Sequence, residues 1–184
     1  MFFFDKVDEQ ITFKPRSEEL AYLAILKEDL LSAQAIFESL DSPRARWGIA
    51  LVGILSGFLE YFPTYFEIRN FLEIDLDFMI KNEKFDYTEN MLGSLEILYK
   101  INHEVYKYTA RVLYENKLYK TALEYMEKSK ELNYNDPELH YMLAKYYVHT
   151  KQFNLAEHYI EECLKIIPMY YPAIKMKEHI SSQL

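Results

Sequence analysis

Histidine and carboxylate side chains are the first groups in this chain whose spacing could do chemistry. His158 and Glu162 stand one helical turn apart, but two ligands are too few for a metal site, so we expect a solvated surface pair. Asp75 with Asp77, and Glu161 with Glu162, diverge around a helix instead of converging as acid–base pairs, and we expect solvated faces there. No His-Glu-x-x-His arrangement occurs among the five histidines, which are His103, His140, His149, His158 and His179.

Cys163 is the only cysteine, so neither an internal disulfide nor a multi-cysteine metal site can form. A reactive thiolate needs an electropositive, accessible setting, whereas Glu161 and Glu162 supply negative charge. An inert core cysteine is therefore expected. We predict no catalytic residue, no metal site and no cofactor, and an enzyme would require assembly of a site from residues distant in sequence.

Composition excludes several functional classes. The 184 residues include 21 Lys+Arg and 29 Asp+Glu, a net charge of −8. Residues 1–102 hold 10 basic and 18 acidic residues, and residues 103–184 hold 11 of each. A chain without a basic stripe is a poor partner for nucleic acid or an anionic membrane. With only four glycines, it also lacks a phosphate-binding loop.

One apolar stretch raises the question of a membrane span. Trp47 to Leu59 is apolar apart from glycines and Ser56, but its 13 residues fall short of the roughly 20 that a spanning helix needs. We expect a buried helix instead. Residues 1–9 lack the basic start and long apolar core of a signal peptide, and a cytoplasmic location is expected.

A 34-residue period organises the second half of the chain. Five columns of residues repeat at this interval, and fixed self-similarity of this length is typical of a repeat architecture. Each unit is expected to contain two helices, such as 137–150 and 153–167. The columns are Phe85, Tyr119 and Phe153; Thr88, Ala122 and Ala156; Leu92, Met126 and Ile160; Leu98, Leu132 and Ile166; and Leu76, Ala110 and Ala144.

The best-matching unit resembles a tetratricopeptide repeat (TPR). It carries, in order, His140, Leu143-Ala144, Tyr147, Phe153, Ala156, Ile160 and Pro168, where the family has Trp, Leu-Gly, Tyr, aromatic, Ala, Phe and Pro. His140 at the Trp position is the main departure, and we expect it to pack between helices. The resemblance implies repeats at 69–102, 103–136 and 137–170.

The remaining segments complete the expected architecture. Residues 1–16 are expected to form an extended N-terminal arm, residues 17–68 irregular helical hairpins, and residues 171–184 a polar helix that caps the stack. The fold class is all-α, a right-handed superhelical stack of antiparallel helix hairpins. The whole chain forms one domain.

The resemblance also implies a peptide-binding groove, because in this family the first helix of each repeat lines a concave face. The corresponding peptide-binding positions here are Asn70, Glu73, Asp77, Glu104, Lys107, Arg111, Tyr141 and Lys145, with Lys175 extending the row. The lysine and asparagine clamp that grips a chaperone's C-terminal carboxylate is absent, since Glu73, Asp77 and Glu138 stand at clamp positions. Binding of such a tail is therefore not expected.

Two interpretations of this groove remain open. The charges either solvate a concave face, or a basic row of Lys107, Arg111 and Lys145 holds an acidic or mixed-charge peptide with Tyr141 as an apolar shelf. In the second case, Lys107→Glu with Arg111→Glu would weaken binding while leaving the melting temperature nearly unchanged. The expected function is that of a protein-binding adaptor. One alternative is a self-associating scaffold, which would form a homo-oligomer. The other is a small secretion-type chaperone.

Overall fold

The computed structural model describes residues 17–181, and the predicted N-terminal arm at 1–16 lies outside them. Within the described residues every regular element is an α-helix. The helices are α1 (Ser17–Leu26), α2 (Leu30–Glu38), α3 (Pro43–Ser56), α4 (Tyr65–Lys81), α5 (Phe85–Gly93), α6 (Leu95–Tyr99), α7 (Val105–Glu115), α8 (Tyr119–Leu132), α9 (Pro137–His149), α10 (Phe153–Ile166) and α11 (Tyr171–Ser181).

Side chains just outside the helices determine where several of them begin. The Asp136 carboxylate accepts hydrogen bonds from the backbone amides of Glu138 and Leu139, and Pro137 opens α9. Ser42 caps α3 in the same way ahead of Pro43. These contacts satisfy amides that have no partner within the helix. Each of the two prolines thus stands at the first position of its helix.

The hairpin turns show which helices form equivalent pairs. Glu28, Glu83, Lys117 and Lys151 all have positive φ, between 56° and 65°, in the turn that joins two helices of a hairpin. In each turn the next amide hydrogen-bonds back to a carbonyl five residues earlier, as Gln152 does to Tyr147. This is the left-handed helix end that usually takes glycine. The repeated units are therefore α1–α2, α4–α5, α7–α8 and α9–α10.

Alanines of the repeat columns allow the helices of each hairpin to approach closely. Ala110, Ala122, Ala144 and Ala156 are all fully buried, whereas Leu132, from the column that also contains Leu98 and Ile166, is exposed. The core has two clusters, one spanning α1 to α7 and the other α7 to α11, and Ile80 and Tyr125 pack against both. The hydrophobic interior is thus continuous along the stack.

Helix α3 is an additional element between the first two hairpins. The equivalent turn residues Glu28 and Glu83 are 55 residues apart, 21 more than the repeat length, whereas Lys117 and Lys151 keep the 34-residue interval. The apolar stretch from Trp47 folds as this buried helix, as predicted. Gly48 is required in it, because a Cβ there would lie 2.5 Å from the ring of Phe37 on α2.

The apolar stretch is also too short to cross a membrane. Among residues 17–181, no helix has both the length and the apolar composition that a membrane span requires.

Candidate functional site

The predicted peptide-binding residues lie on or beside the first helices of successive hairpins. We call the surface formed by α4, α7, α9 and α11 the first-helix face. Four of these residues, Glu73, Glu104, Lys107 and Arg111, are joined by ion pairs that also include Glu138 of α9. Asn70 and Lys175 are exposed, Lys107 is buried, and the others are half-buried: Glu73, Asp77, Glu104, Arg111, Tyr141 and Lys145.

Lys107 does not offer its charge to a ligand. Its side chain is only 6% exposed, and its Nζ lies 2.8 Å from Glu104, 2.7 Å from Asp136 and 3.3 Å from Glu138. Burial alone would lower the pKa of Lys107, but hydrogen bonds to Asp136 and Glu104 outweigh it and raise the pKa. The ammonium therefore joins the start of α7 to the start of α9.

Arg111 forms a second bridge between helices on the first-helix face. Its guanidinium lies 3.3 Å from a carboxylate oxygen of Glu73 on α4 and 2.6 Å from Glu138 on α9. Burial raises the pKa of Glu73, although the Arg111 charge opposes the shift. Asp77 continues this line of contacts by accepting a hydrogen bond from Asn116 at 2.8 Å. Carboxylates of the chain thus neutralise both Lys107 and Arg111 of the predicted basic row.

Lys145 differs from these two cations. Among the described residues no carboxylate lies within ion-pair distance of it, and its Nζ sits 5.0 Å from the centre of the Tyr114 ring. Tyr141, one turn earlier on α9, packs edge-to-face against Tyr170 at 5.5 Å. We call Tyr114, Tyr141, Lys145 and Tyr170 the Tyr–Lys cluster. It combines half-buried aromatic surface with a positive charge that has no carboxylate partner in the described part of the chain.

These contacts change the expected effect of the double charge reversal. Replacing Lys107 by Glu would place a fourth carboxylate among Glu104, Asp136 and Glu138, in a largely buried position. Such a change destabilises the fold, because like charges would be held together out of water. The expectation that Lys107→Glu with Arg111→Glu leaves the melting temperature nearly unchanged is therefore wrong. Peptide binding by the first-helix face is therefore better tested by substituting Lys145.

Asp75 also departs from the sequence-based expectation, because it is 1% exposed rather than solvated. The indole N–H of Trp47 and the hydroxyl of Tyr22 donate hydrogen bonds to one carboxylate oxygen, and Arg44 contacts the other at 2.5 Å. Burial raises the pKa of the Asp75 carboxyl against the opposing charge of Arg44. This buried node joins α1, α3 and α4. Asp75 stands at a repeat position that is usually buried, but nothing in the sequence indicated which residues would surround it.

Two other residues whose side chains could take part in chemistry, His140 and Cys163, are buried in the core. His140 is fully buried between the rings of Tyr134 and Tyr159, which confirms that packing explains it. Burial lowers its pKa, so its neutral form is favoured. Cys163 is fully buried, and burial raises the pKa of its thiol to about 11. In residues 17–181, no group of three or more His, Cys, Asp or Glu residues is arranged to hold a metal ion.

Comparison with known proteins places this geometry in a structural context. No protein-family model and no curated protein sequence matches the chain. Among solved structures, it is similar to YrrB, a TPR protein with an unusual peptide-binding site, with a TM-score of 0.50 and 19% identity over 91% of this chain and 75% of that one.

A second similar structure is the APC/C hetero-tetramer Cut9–Hcn1. Its TM-score is 0.49 at 15% identity, and the match covers 89% of this chain and 42% of the other. The fold assignment rests on the first likeness together with the 34-residue period, the paired helices and the recurring left-handed turns. The chain therefore has a TPR-like repeat fold, an all-α solenoid of helix hairpins.

Proposed function

We propose that this chain is a non-enzymatic protein-interaction module of the cytoplasm, and that it binds a peptide segment of a partner protein on the first-helix face. The Tyr–Lys cluster is the observation that supports this most. Half-buried tyrosines provide apolar contact area with little loss of side-chain freedom, and a cation without a carboxylate partner can pair with a carboxylate of the ligand.

The same geometry limits the class of peptide that could bind. Because Lys107 and Arg111 are engaged by carboxylates of the chain, they have little charge left for a peptide. The proposed ligand is an acidic or mixed-charge segment that places a carboxylate at Lys145 and an apolar side chain against Tyr141. The paired charges beside it keep the helices in register rather than contact the ligand.

A peptide-selection experiment tests this proposal. The full chain is used to select from a random peptide library in parallel with two variants, Lys145→Glu and Lys165→Glu. Both variants carry the same charge change, but Lys165 lies on α10, away from the first-helix face. Acidic peptides selected by the native chain are expected to bind Lys145→Glu at least about tenfold more weakly, and Lys165→Glu unchanged. Equal binding by Lys145→Glu, or no selected acidic peptide, would contradict the proposal.

An exposed aromatic patch favours self-association as a second candidate function. Phe58, Phe62 and Phe66 are 69%, 57% and 66% exposed on the α3–α4 connection and the start of α4, beside Tyr61 and Tyr65. Apolar surface concentrated in this way is typical of an interface between proteins. In this case two copies of the chain would cover the patch.

Sedimentation velocity over a hundredfold range of concentration tests the second candidate. The native chain is expected to show a mass that rises with concentration, and Phe62→Ser with Phe66→Ser is expected to remain monomeric. A constant monomer mass for the native chain would rule self-association out.

A further inference from the structure

A groove between α1 and α4 lies apart from the Tyr–Lys cluster. It has a volume of about 390 Å³ and is lined by Tyr22, Leu23, Leu26 and Phe78, with Glu19 at its rim. Leu23 is 46% exposed, so part of this apolar lining faces solvent. This size and lining are those of a site that accommodates apolar side chains of a ligand.

The additional helix α3 accounts for the groove. The Arg44 guanidinium of α3 lies between two rings, 4.8 Å from the centre of Tyr22 on α1 and 4.7 Å from that of Phe71 on α4. As a consequence, α1 and α4 approach each other less closely than α4 and α7 do. Asp75 fixes this arrangement by accepting hydrogen bonds from both Tyr22 and Trp47. Buried contacts of α3 thus maintain the groove between α1 and α4.

An acidic depression lies at the turns that follow α1 and α4, close in sequence to the residues that line the groove. Two residues after Leu26, and one turn after Phe78, a second depression of about 390 Å³ is lined by Glu28, Glu83 and Asp86 together with Lys84. Lys84 pairs with Glu28 at 2.8 Å. Among the described residues, Glu83 and Asp86 have no ion-pair partner, and both are exposed. The end of the groove therefore carries excess negative charge.

We propose that this groove is a second docking site, which binds a partner segment that has an apolar side chain followed by lysine or arginine. The apolar side chain would occupy the space between Leu23, Leu26 and Phe78, and the basic residues would reach Glu83 and Asp86. The negative charge at this end also repels the acidic segments proposed for the Tyr–Lys cluster. This inference does not rest on the proposed function of that cluster.

Selection from the same random peptide library tests the second site, with variants chosen for exposed positions. Leu23→Glu introduces a charge into the groove, and Leu31→Glu is the matched control, because Leu31 is 84% exposed on α2 and does not line the groove. Glu83→Lys with Asp86→Lys reverses the charge at the far end. Lysine is compatible with the positive φ of position 83, since Lys117 and Lys151 occupy the equivalent turns.

The native chain and Leu31→Glu are expected to select peptides with an apolar residue ahead of lysine or arginine. Leu23→Glu should bind these peptides at least about tenfold more weakly, and the charge-reversed double variant should select acidic peptides instead. Circular dichroism and the melting temperature establish that each variant is folded. The proposal is overturned if the native chain selects no basic peptides, or if Leu23→Glu binds them as Leu31→Glu does.

Lys145→Glu separates the two sites. Loss of acidic peptides with retention of basic ones supports both proposals, whereas loss of basic peptides in this variant would overturn the α1–α4 site. A native chain that selects basic but not acidic peptides would contradict the proposed function alone.

Discussion

The Lys107 ammonium is held by carboxylates from two parts of the chain: Glu104 at the start of its own helix, and Asp136 and Glu138 at the start of α9. The resemblance to the repeat family grouped Lys107 with Glu104 and Arg111, and in the structure Lys107 contacts Glu104 and shares Glu138 with Arg111. The register did not predict which residues would pair, because pairing depends on how closely successive hairpins approach. Sequence spacing therefore indicates which residues share one face of a helix, but not whether their charges are available to a ligand.

Removing the Lys107 charge tests its role in joining repeats. Lys107→Met leaves three carboxylates without their shared cation, one of them nearly buried, and is expected to lower the free energy of unfolding by roughly 3 kcal/mol. Lys165→Met removes an exposed ion pair with Glu162 and should cost less than about 1 kcal/mol. Urea denaturation of the native chain and both variants provides the comparison. Similar losses in the two variants would show that Lys107 is not a structural cation.

At the scale of the helical elements, the hairpin turns show what sequence patterns could not reveal. Glycine is the usual residue at a left-handed helix end, so turns that use Glu28, Glu83, Lys117 and Lys151 carry no recognisable signal. Apolar periodicity predicted helices such as those at 137–150 and 153–167, which correspond to α9 and α10. The equivalence of α1–α2 to the later hairpins became apparent only from the backbone conformation.

Glycine substitution at these turns should stabilise the protein. A side chain with a Cβ is disfavoured at positive φ, so Lys117→Gly and Lys151→Gly are each expected to raise the free energy of unfolding by about 1 kcal/mol. Glu124→Gly, at an exposed position within α8, should lower it by about 1 kcal/mol because glycine weakens a helix interior. Thermal and urea unfolding would measure all three effects. A loss of stability at both turns would contradict the conformational argument.

At the scale of the whole molecule, the sequence predicted a repeat solenoid but not its interruption. Five residue columns were sufficient to establish the 34-residue period from α4 onward, and the structure retains this period at Glu83, Lys117 and Lys151. The offset introduced by α3 concealed the first hairpin, because no column extends across it. The buried node at Asp75 was equally inaccessible, since its partners come from α1 and α3, which the 34-residue period does not relate to α4.

The two halves of the chain differ in net charge, and each half contains one of the two proposed sites. The first 102 residues carry the net charge of −8, and the α1–α4 groove with its acidic end lies within them. The second half is neutral and contains Lys145. The two proposed sites therefore differ in electrostatic character, which is the physical basis for expecting them to select different segments.

The position of α3 has a consequence for how such a chain can change in length. Because each hairpin contacts only its immediate neighbours, a helix added at one junction alters the packing there and leaves the spacing of later hairpins intact. The junction between α2 and α4 thus behaves as a modular boundary, where a cassette of about twenty residues is accommodated without disturbing the downstream array.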